Sequence, residues 1–233
     1  MLDFEERRKA SFEEWKKQWG RDSIEQHIEP IKQHINDTRY DFHELEPWKQ
    51  ELMEPDSKKE ALIVNLFAGP GAGKSTLAAH AFSLLKYEGI NCELVTEYAK
   101  TRVWKEDHNT LKDQIYVFAK QRHKLIYLKN KVDVVITDSP ILLSLVYGDT
   151  SDSFKVVVIQ EHLALRNLNI WVDRVKPYKT DGRNQNEDEA LSIDNALKEQ
   201  IPKIPDKLTH ICSSMSGAED LASLIIKTSK DEK

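Results

Sequence analysis

The chain has 233 residues, with 39 acidic against 34 basic side chains and a formal net charge of −5. That length suits one large domain with an appendage, and the acidic balance gives no overall bias towards nucleic acid. The first 60 residues hold 16 Asp and Glu against 11 Lys and Arg, the remainder 23 against 23, so contact with a polyanion would have to come from a local basic patch. No apolar run approaches the ~20 residues that cross a bilayer. The opening Met1-Leu2-Asp3-Phe4-Glu5-Glu6 lacks the apolar core of a signal peptide. Cys92 and Cys212 fall in strand-like runs and read as reduced core thiols. A cytoplasmic enzyme with no membrane contact is the expectation.

Residues 1–60 read as a helical extension and linker ahead of a domain spanning 61–233. Phe12, Trp15 and Trp19 form one apolar stripe, and Ile24, Ile28, Ile31 and Ile35 form another. Gly20 to Ser23 separates them, with Asp22 or Ser23 as an N-cap, and Pro30 kinks or splits the second. The stripes need a covering surface. It is either the domain that follows or a protein contact, self-association included. His27 and His34 share a face, but a metal would want more ligands nearby. Glu54 to Glu60 reads as the linker.

The domain opens on Ala61-Leu62-Ile63-Val64-Asn65-Leu66-Phe67, a short apolar run of the kind a buried parallel strand makes. It breaks into Ala68-Gly69-Pro70-Gly71-Ala72-Gly73 and continues from Lys74-Ser75-Thr76 as a helix over about 74–87. Strand, glycine-rich loop, Lys-Ser and helix together form a phosphate-binding loop in its proper context. Gly69 to Gly73 turn backbone N–H groups inward, Lys74 reaches the β- and γ-phosphates of ATP, and the Ser75 hydroxyl sits on Mg²⁺. Thr76 and the helix N-terminus complete the phosphate cradle. The consensus asks for Gly where this chain has Ala68, a departure of one methyl.

Gly89 should close that helix in the left-handed conformation. A second strand, about 91–96, leads to Glu97-Tyr98-Ala99-Lys100, and one long helix is expected over about 110–129. A third strand, Val132 to Thr137, ends at Asp138-Ser139-Pro140. Helical pieces follow near 141–147 and 153–165. A fourth strand, Leu168 to Val172, runs into a basic loop from Arg174 to Arg183. A helix over about 187–199, a fifth strand from Leu208 to Cys212 and a helix over about 217–227 complete the chain. Five strands alternating with helices predict an α/β, doubly wound parallel sheet with ligands at the strands' C-terminal ends.

Val134-Val135-Ile136-Thr137-Asp138 is an apolar strand ending in a carboxylate, which would hold Mg²⁺ directly or through water. The alternative is a loop-capping Asp. Glu97 ends the second strand and should face the same crevice as Lys74 and Asp138. A carboxylate there takes a proton from an attacking hydroxyl, or else pairs with Arg102 or Lys100. Gln114 and Gln121 lie i, i+7 on one helix face. Their amides suit a nucleobase edge or simply face solvent. Arg174 and Arg183 lie in a turn-rich basic stretch that reads as a lid bringing guanidinium groups to the transferring phosphoryl, or as an ordinary basic loop. Asn130-Lys131-Val132-Asp133 matches a guanine-reading pattern but precedes the Asp138 strand, where that motif would follow it. It reads as a helix end entering a strand.

Phe67 to Thr76, Thr96-Glu97-Tyr98-Ala99-Lys100, Asp138-Ser139-Pro140 and Gly182-Arg183-Asn184-Gln185 occur in that order. Together they resemble the small P-loop kinases encoded by bacteriophages, over about residues 61–228. Those are similar to the kinase domain of nicotinamide-riboside kinases and, more distantly, to deoxynucleoside kinases. The latter usually carry Arg where this chain has Ser139. The resemblance implies an ATP- and Mg²⁺-dependent kinase. The implied acceptor is a nucleoside- or nucleotide-like hydroxyl, including 5-hydroxymethyluracil within phage DNA, in a host cytoplasm. A nucleoside monophosphate kinase is the near alternative, with Arg102 gripping the acceptor phosphate. An ATPase switch or motor with residues 1–60 as its partner-binding arm is the more distant one. Motor ATPases usually carry Glu at the position of Ser139.

Overall fold

The computed structural model describes residues 60–148, 151–175, 178, 186–201 and 207–230. The expectations for residues 1–59 and for Arg183 lie outside them.

Five parallel strands form one sheet in the order β2-β3-β1-β4-β5. They are β1 (Leu62–Phe67), β2 (Cys92–Val95), β3 (Val134–Thr137), β4 (Arg166–Asp173) and β5 (Leu208–Cys212). β1 lies in the centre, paired with β3 from Leu62 opposite Val134 and with β4 from Leu62 opposite Arg166. All six of its residues are buried, which is why the segment reads as an unbroken apolar run and not an alternating one. Asn65 is the polar exception. Its amide donates to Asn167 at 2.9 Å and to Asn169 at 3.0 Å on β4. That network satisfies a buried polar group and favours one β1–β4 register.

One face of the sheet is covered by α1 (Lys74–Tyr87) and α7 (Met215–Lys230). Leu77, Ala78, Ala81 and Leu85 of α1 meet Ala218, Leu221, Ala222 and Ile225 of α7 over Leu62, Val64, Leu66, Ile136 and Ile170. Each large aliphatic buried there contributes about 1.5–3 kcal/mol. Ala68 belongs to this core at 1 % exposure, so the methyl that departs from the loop consensus is an added packing contact. α1 ends as expected. Gly89, at φ 74°, donates to the Lys86 carbonyl, and Ile90 N–H returns to Leu85, the double closure of a Schellman motif.

The other face carries α4 (Gln114–Leu128), a 3₁₀ helix (Ile141–Leu145) and α5 (Asp152–Leu163). Phe118 and Phe154 join α4 to α5 edge to face, with centroids 5.4 Å apart.

Four expectations need correction. The helix over 110–129 is broken: α3 (His108–Lys112) and α4 are separated by Asp113 at ψ 82°, whose carboxylate caps α4 at the Tyr116 N–H. An Asp side chain that can bond a nearby backbone N–H competes with helix continuation. A further helix, α2 (Tyr98–Trp104), follows Glu97 directly. Cys92 is buried, but Cys212 is exposed, because it ends β5, the edge strand, which has a neighbour on one side only. β3 starts at Val134, two residues late, because Lys131 remains in the turn that ends α4.

Candidate phosphate-loop site

Parallel strands aim their C-terminal ends at one rim of the sheet, and there lies a cavity of about 450 Å³. Its floor is the loop from Pro70 to Thr76. Gly71 at φ 78° and Gly73 at φ 96° hold conformations that a Cβ would strain. A Cβ on Gly73 would also lie 2.8 Å from Ser213, and one on Gly71 would lie 2.7 Å from the Tyr178 ring. Gly73 is the N-cap of α1, with no side-chain cap and no acidic residue in the first turn. Among the described residues no side chain caps the first amides of α1, and its first turn carries no acid to offset the helix's positive end.

Lys74 Nζ donates to the carbonyls of Ala68 at 2.7 Å and Gly69 at 3.0 Å. It is thereby folded over the loop. Burial lowers its pKa, opposed by the carboxylates of Glu97, Asp138 and Asp194 and reinforced by Arg174. Ser75 and Thr76 are exposed on the cavity floor.

Glu97 stands on the same cavity and is the N-cap residue of α2, but its carboxylate makes no cap bond. Burial raises its pKa, Lys74 opposes that rise, and Asp138 adds to it. Asp138, 3 % exposed, follows β3 and accepts the Glu97 N–H through Oδ1 at 3.0 Å. The two carboxylates and the ammonium thus form one electrostatic cluster. Arg102 is not Glu97's partner. It pairs with Asp107 at 3.3 Å, lies over the Tyr98 ring at 4.9 Å and does not line the cavity. Lys100 and Lys112 do line it.

The opposite wall is apolar: Val103, Leu111, Val117, Pro140, Ile141 and Leu143, supplied by α2, α3, α4 and the 3₁₀ helix. Both glutamines reach it, in different states. Gln114 donates through its amide nitrogen to the Leu111 carbonyl at 2.6 Å, within its own chain turn. Gln121 is spent on the protein. Its oxygen accepts the Tyr98 N–H at 3.0 Å and its nitrogen points to Thr137 Oγ1 at 3.4 Å. Buried at 4 % exposure, it braces α2 against β3, because a buried amide has to satisfy both ends internally.

Arg174, just past β4, closes over the loop: Nη1 donates to the Pro70 carbonyl at 2.7 Å and Nε to Asp194 Oδ2 at 2.8 Å. Two site residues escaped the sequence reading. Tyr147, lining the cavity, has its phenol pKa raised by burial and by the facing Glu97 and Asp194 carboxylates. Asp194 lies on α6 (Glu187–Gln200) between buried Ala190 and Leu197. A carboxylate inside an apolar i, i+4, i+7 stripe was its visible signal.

A family model described as an AAA domain matches residues 63–215. The chain belongs to this AAA-domain family. The matched span runs from β1 through β5, so it holds the phosphate loop, Glu97, Asp138 and Arg174 together. No curated protein matches the chain. Among solved structures, deoxyadenosine kinase from M. mycoides with dCMP and dCDP is 17 % identical. That match covers 73 % of this chain and all of that one, at a TM-score of 0.44. An APS kinase from Mycobacterium tuberculosis is 16 % identical over 63 % of this chain and 99 % of that one, at 0.35. A GTPase from Pyrococcus abyssi is 10 % identical over 73 % and 98 %, at 0.37. At these identities the likeness is one of fold. The family match, the five-stranded parallel sheet and the glycine-rich loop at its rim make this AAA domain an α/β P-loop NTPase, and no helix among its described residues is long and apolar enough to cross a membrane.

Proposed function

We propose that this AAA domain is a kinase that moves the γ-phosphoryl group of ATP to a hydroxyl on a nucleoside- or nucleotide-like acceptor. The observation that carries this reading is Glu97. Its carboxylate is left uncapped and buried enough to be a stronger base than usual. It shares one cavity with the phosphate loop on one side and an apolar wall on the other. The acceptor's hydrophobic body lies on Val103, Val117 and Ile141, beside the amide oxygen of Gln114. Its hydroxyl attacks the γ-phosphorus, the O–H proton passes to Glu97, and the bond to ADP breaks. Lys74 and the amides of α1 hold the phosphate charge, and Arg174 adds a guanidinium from above.

Ser75 and Asp138 supply an oxygen-only pair, hydroxyl and carboxylate. No cluster of three or more His, Cys, Asp or Glu suited to a metal occurs among the described residues. That composition fits Mg²⁺, which takes one or two protein oxygens and completes its shell with phosphate and water. Bound there, it would neutralise charge on the β- and γ-phosphates.

Labelled γ-phosphate tests the reading with free nucleosides, nucleotides and hydroxymethyl-bearing DNA offered side by side. Label should appear in one acceptor class. Charge balance outside the first 60 residues favours a small molecule. Label in the DNA alone would assign a polynucleotide acceptor, with a basic track beside the cavity. For an acceptor that already bears a phosphate, Lys100 and Lys112 are the cations on that wall, and Arg102 is already committed to Asp107. The family match favours a second reading, an ATPase switch. ADP release without any acceptor, unchanged when acceptors are added, would establish it in place of the kinase.

A further inference from the structure

The phosphate loop is gripped at its start by a residue outside every nucleotide-binding motif. Asp194 lies two turns into α6 and is 6 % exposed. Its Oδ1 accepts the Gly69 N–H, and its Oδ2 accepts Arg174 Nε at 2.8 Å. Arg174 then donates Nη1 to the Pro70 carbonyl at 2.7 Å. The third nitrogen, Nη2, is buried and has no hydrogen-bond partner among the described residues. A Cβ on Gly69 would lie 3.1 Å from Nη2, 2.9 Å from Asp194 Oδ1 and 2.6 Å from the Ala190 carbonyl. Carboxylate, guanidinium and helix backbone therefore close on the loop where only glycine fits.

A buried guanidinium nitrogen without an acceptor is costly in a resting protein. Here it is held beside Gly69 and Pro70, on the loop that cradles phosphate. We propose that Asp194 is the positioning residue for Arg174, fixing the guanidinium so that Nη2 stays free to donate to a γ-phosphoryl oxygen of ATP. The proposal rests on the nucleotide reading above, though not on any acceptor. An arginine tethered at Nε and Nη1 has already lost its side-chain freedom, so a third bond forms with little further ordering. The carboxylate also balances the guanidinium charge until phosphate arrives. Asp194 acts on the lysine as well, since its charge helps keep Lys74 protonated.

The test is the ratio of ATP to ADP affinity, because only ATP carries the γ-phosphate. Asp194→Asn keeps a carbonyl oxygen for Gly69 N–H but turns an NH₂ donor on Arg174 Nε–H, so it releases the arginine while leaving the loop bond. Arg174→Ala should lower the ATP-to-ADP ratio by about tenfold or more, the range of a charge-assisted hydrogen bond. Asp194→Asn should lower it by a similar factor, and the double variant no further than Arg174→Ala alone. If Asp194→Asn weakens ATP and ADP equally, or if the two losses multiply, Asp194 only staples α6 to the loop and the proposal is overturned. Should Asp194→Asn fail to fold, Arg174→Lys decides. A lysine carries its three donors on one nitrogen, which cannot span acceptors set for Nε, Nη1 and Nη2 of the guanidinium, so the ratio should still fall; a retained ratio overturns the proposal. None of these measurements needs an acceptor. Failure of the kinase reading would therefore show in the labelling experiment and leave this ratio untouched.

Discussion

α1 and α6 begin in opposite ways. α6 is fully capped. Asn186 accepts the Glu189 N–H at 2.9 Å, Glu189 returns a bond to the Asn186 N–H at 2.8 Å, and Glu187, Asp188 and Glu189 fill its first turn with negative charge. α1 has a left-handed glycine, no cap and no acid. Side chains also cap α3 through Asp107, α4 through Asp113 and α5 through Ser151. Among α1 to α6, the helices without a side-chain cap are α1 and α2, and both start on the cavity, at Gly73 and Glu97. A missing cap forgoes about 1 kcal/mol. The protein forgoes it at the two positions where a ligand would use the orphan amides or the free carboxylate. The N-termini of α3 to α6 are closed by side chains of their own sequence.

The strongest way to break this contrast is to remove the cation that completes α1's open end. Lys74→Ala should abolish phosphoryl transfer, because it deletes the charge that meets the β- and γ-phosphates. The protein should stay folded. The lost bonds to Ala68 and Gly69 are offset by release of a buried charge whose pKa burial has already depressed. Turnover and thermal melting measured together check both halves. A folded variant at undiminished rate would sink the phosphate-loop assignment.

The free carboxylate at α2 comes next. Glu97→Gln should slow the chemical step by about 10²–10⁴-fold and leave ATP affinity nearly unchanged. The pH profile sharpens this. Glu97 must be deprotonated to act, and burial raises it above its ordinary 4.5, so the acid limb of the rate should lie above that value. Lys74 must be protonated, and burial lowers it below its ordinary 10.5, which brings the alkaline limb down. In Glu97→Gln the acid limb should disappear and the alkaline limb remain. Single-turnover rates across pH decide it, and an acid limb that survives the substitution removes Glu97 from the role of base.

What was legible in the sequence was whatever depends on local pattern. The apolar run at Leu62–Phe67, the glycine-lysine-serine turn and the period of Leu77 to Leu85 announce strand, loop and helix, because burial and backbone freedom act within a few residues. The sheet and the convergence of Lys74, Glu97 and Asp138 follow from that alternation. The break at Asp113 was less visible, because helical period and an Asp cap compete there and the cap wins. The amide ends of Gln121 were illegible, since their partners are Tyr98 and Thr137, distant in the chain. Arg102 and Asp107 are only five apart, but their pairing depends on the turn between α2 and α3, which no pattern announced. Asp194 was half-legible: the apolar stripe around it showed an oddity, and only the fold shows Gly69 and Arg174 on either side.

The smallest expected effect tests the closed end of the comparison. Asn186→Ala removes the reciprocal bonds of the α6 cap and should cost about 1 kcal/mol of stability. Asp194 lies eight residues further on, beyond the first turn where fraying concentrates, and is held by Gly69 and Arg174. Nucleotide affinity should therefore change by less than about twofold while the melting temperature falls, since a cap bond contributes to helix stability and not to a ligand. Chemical denaturation read beside ATP binding measures both. A drop in ATP affinity that matches or exceeds the loss of stability would mean that the N-terminus of α6 also belongs to the nucleotide site, and the division between open and closed helix ends would fail.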